Sequence, residues 1–190
     1  VHESGVLLVG DPGAGKTTLL RYLQYELSAE DLESGRQRVI FLLELRTYRR
    51  RQQLELRDWF EAAFIRACAE LGGLKDRLAS GDVWLLLDGL NEMPYGANAR
   101  ARFDDLRDVL IDLPAGNRVI VSCRSQDVEG SLGRVRRAEI KPLSEDAVSK
   151  FLAKYAPDKA EVALKELRKH KLLELYQNPG DLGAGGAPRR

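Results

Sequence analysis

The sequence is poor in several kinds of residue. Of its 190 residues two are cysteine and two are histidine. Cys68 and Cys123 show no C-x-x-C or other metal spacing, and a chain of this length needs no disulfide. Both read as buried free thiols in a reducing compartment, which makes the cytoplasm the expected location. His2 and His170 stand alone, without a triad or metal constellation. Neither sign of charge is in surplus: 30 basic residues face 29 acidic ones, for a net charge of +1. That balance argues against binding nucleic acid by bulk electrostatics, so no direct nucleic-acid partner is expected. No apolar run approaches the roughly 18–20 residues of a membrane-spanning helix. The longest, Val83 to Leu87, is ended by an aspartate, and no membrane partner is expected. Residues 1–20 lack the basic start and long apolar core of a signal peptide. The chain opens at Val1 rather than Met, so we expect an excised piece of a longer protein.

What is present is a globular composition, 44% hydrophobic and 31% charged. Short apolar runs alternate with helical patterns. Val6 to Val9 reads as a buried strand followed by a glycine-rich turn, and a helix from Lys16 to about Ser28 comes next. Val39 to Leu43 is a second strand. Leu56, Trp59, Phe60, Ala63, Phe64, Ala67, Cys68 and Leu71 recur at helical spacing, predicting a helix over about 55–71 that closes at Gly72 and Gly73. Val83 to Leu87 is the third strand, and Phe103 to Leu113 marks a helix stopped by Pro114. Val119 to Val121 is the fourth strand, and Arg137 to Ile140 a short fifth. Such alternation, with continuous apolar strands, predicts a parallel sheet covered on both faces. After Pro142 the pattern turns helical. Ser144 with Glu145 and Asp146 marks one start, and a last helix is expected from about Lys159 to Tyr176. The Gly, Ala, Pro and Arg tail from Gly183 is expected to be disordered.

The segment Gly10-Asp11-Pro12-Gly13-Ala14-Gly15-Lys16-Thr17 matches G-x-x-x-x-G-K-[ST], between a predicted strand and a predicted helix. Its glycines let the backbone aim N–H groups inward, and with the positive helix end they make a cradle for phosphate oxygens. Lys16 is expected on the β- and γ-phosphates, Thr17 on Mg²⁺, and Thr18 on the α-phosphate. At ordinary glycine usage a chance match is on the order of one in a hundred. The fold class that follows is the P-loop NTPase three-layer α/β/α fold. Its mainly parallel sheet has five strands, and the start of a small helical domain comes after it.

Such a loop needs a second acidic site, expected at the end of a neighbouring strand. Asp88, after five apolar residues, supplies it as a metal ligand. Glu92 has two readings: a group that orients or deprotonates the attacking water, or a cap or surface carboxylate. Gly89 stands where several large ATPase classes carry a glutamate. No N-K-x-D or T-K-x-D element is present, which favours ATP over GTP. Arg124 ends the fourth strand. If that strand lies beside the Asp88 strand, its guanidinium reaches the γ-phosphate region; otherwise it makes a surface ion pair. Arg46 and Arg49 to Arg51, and likewise Arg134, Arg136 and Arg137, have two readings: solvated basic loops, which is favoured, or a surface for an acidic partner or a neighbouring protomer, with one of them an arginine finger in an oligomer. Trp59 and Trp84 read as core.

Together the Gly10–Thr18 loop, the Asp88-Gly89-Leu90-Asn91-Glu92 box and Val119 to Arg124 resemble a NACHT domain of the STAND class of signalling NTPases. The type is that of NOD-like receptors, here expected to be bacterial. This family typically has a small residue after the magnesium aspartate and acidic residues two and three positions beyond it. Gly89 and Glu92 fit, and Asn91 replaces the first acidic residue. Ile140 to Ser144 and the helix with Phe151, Leu152 and Tyr155 resemble the passage into the family's first helical domain. Asn178-Pro179 resembles the motif whose proline lies against adenine. The resemblance implies a nucleotide-binding domain over 1–142, a partial helical domain over 143–179 and a tail over 180–190. It further implies ATP, ADP and Mg²⁺ as ligands, slow hydrolysis, and self-oligomerisation of the full-length protein in innate immune or antiphage signalling. Effector and sensor domains are expected to lie outside this chain. The alternatives are a constitutive P-loop ATPase or phosphotransferase, and a non-catalytic scaffold stabilised by nucleotide.

Overall fold

The computed structural model describes residues 5–48, 55–95 and 98–169, which fall into two compact units. Of the described residues, the larger holds 5–10 and those within 16–139; the smaller holds 11–15 and 140–169. In the larger unit five strands, β1 (Gly5–Gly10), β2 (Val39–Glu44), β3 (Val83–Asp88), β4 (Arg118–Arg124) and β5 (Val135–Glu139), form one sheet. Its order is β2-β3-β4-β1-β5, and every pairing is parallel. Parallel neighbours need long crossovers. From β1 to β4 helices supply them: α1 (Lys16–Ser34), α2 (Leu56–Ala67), α3 (Leu74–Ser80) and α4 (Ala99–Ile111); the β4–β5 connection carries only a 3₁₀ turn, Ser125–Asp127.

The two faces of the sheet are covered unequally. Leu7, Val9, Phe41, Leu43, Leu85, Leu87, Val119, Val121 and Cys123 share one core with Trp59, Phe60 and Phe64 of α2, Leu74 of α3 and Phe103, Leu106 and Leu110 of α4. These positions alternate along each strand, as the two-residue period requires. The opposite face, towards α1, keeps Leu8, Leu86 and Leu20 buried but leaves Val6, Ile40, Leu42, Trp84 and Ile120 only half-buried. Trp59 is therefore core as expected, whereas Trp84 is half-buried. β5 is an edge strand with exposed Arg136 and Arg137, and charge on an open edge discourages further strand pairing.

Several boundaries differ from the expectations for local reasons. α1 runs on to Ser34 rather than stopping near Ser28, because nothing breaks it before Gly35. Its last turns are tied to β2: buried Asp31 accepts from the Arg38 backbone N–H at 3.1 Å and from Arg38 Nε at 2.6 Å. α2 ends at Ala67, where Cys68 leaves helical geometry (φ −137°, ψ 41°), and a 3₁₀ turn spans Ala69–Leu71. The helix α3 was not anticipated. Its N-terminal N–H groups at Leu74 and Lys75 are capped by the Glu61 carboxylate of α2 at 3.0 and 3.1 Å, a tertiary cap with no local signal. β5 begins two residues earlier than expected, at Val135.

The smaller unit, described by itself, contains α5 (Glu145–Tyr155) and α6 (Ala160–Lys169). Ser144 caps α5 by accepting from the Ala147 N–H at 3.2 Å, which fits the predicted start. Arg168 donates to Glu145 at 2.5 Å, and Val148 is fully buried. The expected remainder of the last helix, His170, the Pro179 position and the tail lie outside the described residues, as do His2 and Arg49 to Arg51.

At the N-terminal end of β3 a single buried side chain ties three segments. Asn117 accepts from the Val83 N–H at 3.0 Å and donates to Leu78 O at 2.8 Å and Pro114 O at 3.0 Å. Removing it strands one backbone donor and two acceptors away from water. Asn117→Ala is expected to destabilise the domain by about 3 kcal/mol, as a shift in the chemical-denaturation midpoint at unchanged slope.

Candidate functional site

The C-terminal ends of the strands bring most of the candidate residues to one edge. In register, Glu44 of β2 lies beside Asp88 of β3, and Gly10 of β1 beside Arg124 of β4. The Asp88 strand is not the neighbour of β1, contrary to the expectation: β4 lies between them. The carboxylate nevertheless reaches across. Thr17 Oγ1, in the first turn of α1, donates to Asp88 Oδ2 at 2.8 Å. Ser122, on the intervening strand and 1% exposed, donates from Oγ to Asp88 Oδ1 at 2.6 Å. The same Ser122 oxygen accepts the Gly89 N–H at 2.8 Å. Lys16 Nζ donates to Gly10 O at 2.7 Å.

The loop Asp11–Gly15 has its own conformation. Ala14 N–H donates to Asp11 O at 3.1 Å, and Gly13 and Gly15 have φ of 79° and 87°. Left-handed glycines in a tight turn let successive N–H groups converge on one side, the geometry of an anion nest. Thr18 is exposed.

Gly89 explains the small residue after the aspartate. It adopts φ 79°, ψ 53° and opens a 3₁₀ turn, Leu90–Glu92, closed by Glu92 N–H donating to Gly89 O at 2.8 Å. A Cβ there would lie 3.2 Å from Glu92 Cδ and 3.3 Å from its Oε2. The turn thus brings the exposed Glu92 carboxyl back over residue 89, beside the end of β3.

Asn91 and Arg124 are linked. Asn91 Oδ1 accepts the Arg124 backbone N–H at 3.1 Å, and Arg102 of α4 donates to Asn91 O. β4 lies beside β3, and the Arg124 guanidinium forms no ion pair among the described residues. Beside it, Cys123 is fully buried, and desolvation pushes its thiol up to about 11, the inert behaviour expected of it. Cys68 is only partly buried.

Sequence reasoning missed Glu44. Arg46 is exposed, as the sequence predicts, and it also pairs with a carboxylate. Its Nε and Nη2 donate to Glu44 Oε2 at 2.9 and 2.6 Å, and Arg21 Nη2 reaches Glu44 Oε1 at 3.4 Å. Glu44 holds the Arg46 pKa above its usual value, with smaller support from Glu92 and Asp88. Arg46 in turn holds Glu44 below the usual carboxylate range. The available signal was a carboxylate closing an apolar strand, the same signal that identified Asp88.

A sequence model described as the NACHT domain matches residues 4–159. The chain belongs to the NACHT domain family. This NACHT domain is accordingly a nucleotide-binding domain of the P-loop NTPase type. Among solved structures, that of C. elegans PCH-2 is similar with a TM-score of 0.48 and 17% identity, over 85% of this chain and 41% of that one. The chain thus spans less than half the length of that structure. No curated protein matches the sequence. No helix among the described residues is long and apolar enough to cross a membrane.

The donors present fit magnesium. Thr17 and Asp88 offer hard oxygens in hydrogen-bond contact with each other. Among the described residues no group of three or more His, Cys, Asp or Glu could form an all-protein metal cage. One hydroxyl and one carboxylate, completed by phosphate and water, is how Mg²⁺ is usually held in nucleotide sites.

The turn at Gly89 can be tested without nucleotide. Gly89→Ala is expected to cost about 1–2 kcal/mol, mostly from backbone strain at positive φ, because the Glu92 carboxylate can swing away. The check is a denaturation curve. A stability within 0.3 kcal/mol of the parent (roughly the error of such data) would refute the strained-turn account.

Proposed function

We propose that this NACHT domain is a Mg²⁺-dependent ATP switch that hydrolyses slowly and drives nucleotide-dependent self-assembly of a longer protein in innate immune or antiphage signalling. The observation that carries the reading is the Thr17–Asp88 hydrogen bond, with Ser122 orienting the same carboxylate. It pairs the loop's hydroxyl with the acidic strand end and holds both ready for a metal. Residues 1–142 are taken as the nucleotide-binding domain and 143–179 as the start of a helical domain, in which Pro179 would lie against adenine.

The roles follow from the chemistry of the side chains. The N–H groups of Gly10, Asp11, Pro12-flanked Gly13, Ala14 and Gly15 would take the phosphate oxygens, and Thr18 the α-phosphate. Lys16 binds the β- and γ-phosphates as a point charge. Thr17 and Asp88 would hold Mg²⁺, which when bound neutralises charge developing on the phosphate oxygens. Glu92 orients the attacking water, and Arg124 pairs with the γ-phosphate and reports its presence. Slow turnover is supported by the carboxyl inventory. Asn91 replaces one acidic residue and is committed to the Arg124 backbone, leaving the exposed Glu92 alone. ATP rather than GTP is supported by the missing guanine-reading motif.

The first test is to purify the domain without added nucleotide, denature it and identify what is released. Stoichiometric ADP is expected. GDP would overturn the base assignment. Lys16→Ala should lose the retained nucleotide. Glu92→Gln should keep it but turn over ATP about a hundredfold more slowly. An unchanged rate in Glu92→Gln would remove Glu92 from the chemistry and favour the scaffold reading.

A further inference from the structure

Arg124 sits where its strand has outrun one of its neighbours. The β3–β4 ladder pairs Trp84 to Leu87 with Arg118 to Val121, and β3 ends at Asp88. Beyond that point β3 has no strand to offer a partner to the end of β4. Backbone donors left in this way must be satisfied by side chains or water. Two side chains take over the stitching. Ser122 accepts the Gly89 N–H, and the Asn91 carboxamide accepts the Arg124 N–H at 3.1 Å.

We propose that Asn91 is a positioning residue for Arg124, holding the backbone root of the guanidinium so that it is presented to the γ-phosphate end of the nucleotide. The proposal rests on the reading of Arg124 as the γ-phosphate sensor. It gives the residue at this position a physical role that needs only an acceptor, so the departure from the family's acidic pattern leaves it intact. The turn that carries Asn91 is anchored independently of its side chain: Arg102, itself 8% exposed, donates to the Asn91 carbonyl, and the Gly89–Glu92 hydrogen bond closes the turn. The carboxamide is therefore free to serve β4. Through it the turn after the metal aspartate and the root of the arginine are joined by one hydrogen bond. A shift of Glu92 on one side is then felt by Arg124 on the other.

An acceptor is what the site requires, and aspartate supplies one as well as asparagine. Alanine and the near-isosteric leucine supply none. The readout is the ratio of affinities for a non-hydrolysable ATP analogue and for ADP, both with Mg²⁺, by displacement of a fluorescent nucleotide. Thermal melting is recorded alongside. Arg124→Ala sets the scale, since it should abolish the preference between the two nucleotides. Asn91→Ala and Asn91→Leu are expected to reduce the preference about fivefold, and Asn91→Asp to retain it. In the Arg124→Ala background, Asn91→Ala should change the ratio no further. A merely structural role would lower melting in all variants alike and leave the ratio alone. If Asn91→Ala and Asn91→Leu keep the parental ratio while Arg124→Ala loses it, the positioning role is wrong and the sensor reading stands. If Asn91→Asp loses the preference as Asn91→Ala does, the acceptor argument is wrong. If Arg124→Ala keeps the ratio, the sensor reading fails and the positioning role fails with it.

Discussion

The Asp88 carboxylate is held from two sides by hydroxyls, Thr17 on one oxygen and Ser122 on the other. The sheet order makes this arrangement necessary. With β4 inserted between β1 and β3, the start of α1 and the end of β3 are separated by a full strand, and adjacent strands lie about 4.8 Å apart. A small buried hydroxyl on the middle strand fixes the carboxylate without blocking the reach to Thr17. A larger residue at position 122 would fill that space, and an apolar one would leave both Asp88 and the Gly89 N–H short of a partner. A carboxylate that accepts two short hydrogen bonds is oriented before any metal arrives, which lowers the reorganisation needed at the site.

From that carboxylate the rest of the edge follows in order. Gly89 turns the chain at positive φ, so the next carboxyl in sequence folds back over the strand end instead of leaving it. Asn91 ties the turn to β4, and Arg102 ties it to α4. On the other side of β3, Glu44 gathers Arg46 and Arg21. These contacts are partly exposed and individually weak. Their effect is to keep two cations beside two carboxylates rather than to add much stability. The aromatic rings of Tyr48 and Tyr95 stack with centroids 6.0 Å apart. The stack joins the segment after Arg46 to the segment after Glu92, with Trp59 packed edge-on against Tyr48 at 5.2 Å.

Much of this was legible in residue order. Strands β1 to β4 are short apolar runs ended by a glycine or a polar residue, and the phosphate loop announces itself by spacing. Asp88 was found because a carboxylate after five apolar residues has few places to go but a strand end. What stayed hidden depended on contacts between distant segments. The helix α3 exists because Glu61, thirteen residues upstream of Leu74, caps it. Arg46 looked like one more basic loop residue because its partner Glu44 takes its meaning from lying beside Asp88. The greater burial of one sheet face could not be read from strands whose two faces are equally apolar.

Local pattern determined the element types, the phosphate loop and the acidic strand end, because each depends on residues a few positions apart and on the period of strand or helix. Strand order was decided only by the tertiary structure. Parallel strands joined by helical crossovers can be arranged in several orders with the same local propensities, and packing selects among them. That choice put β4 between the loop strand and the aspartate strand. It made Ser122 the bridge, set Arg124 opposite Gly10, and turned Asn91 from a missing acid into the partner of a backbone that its own strand neighbour had left.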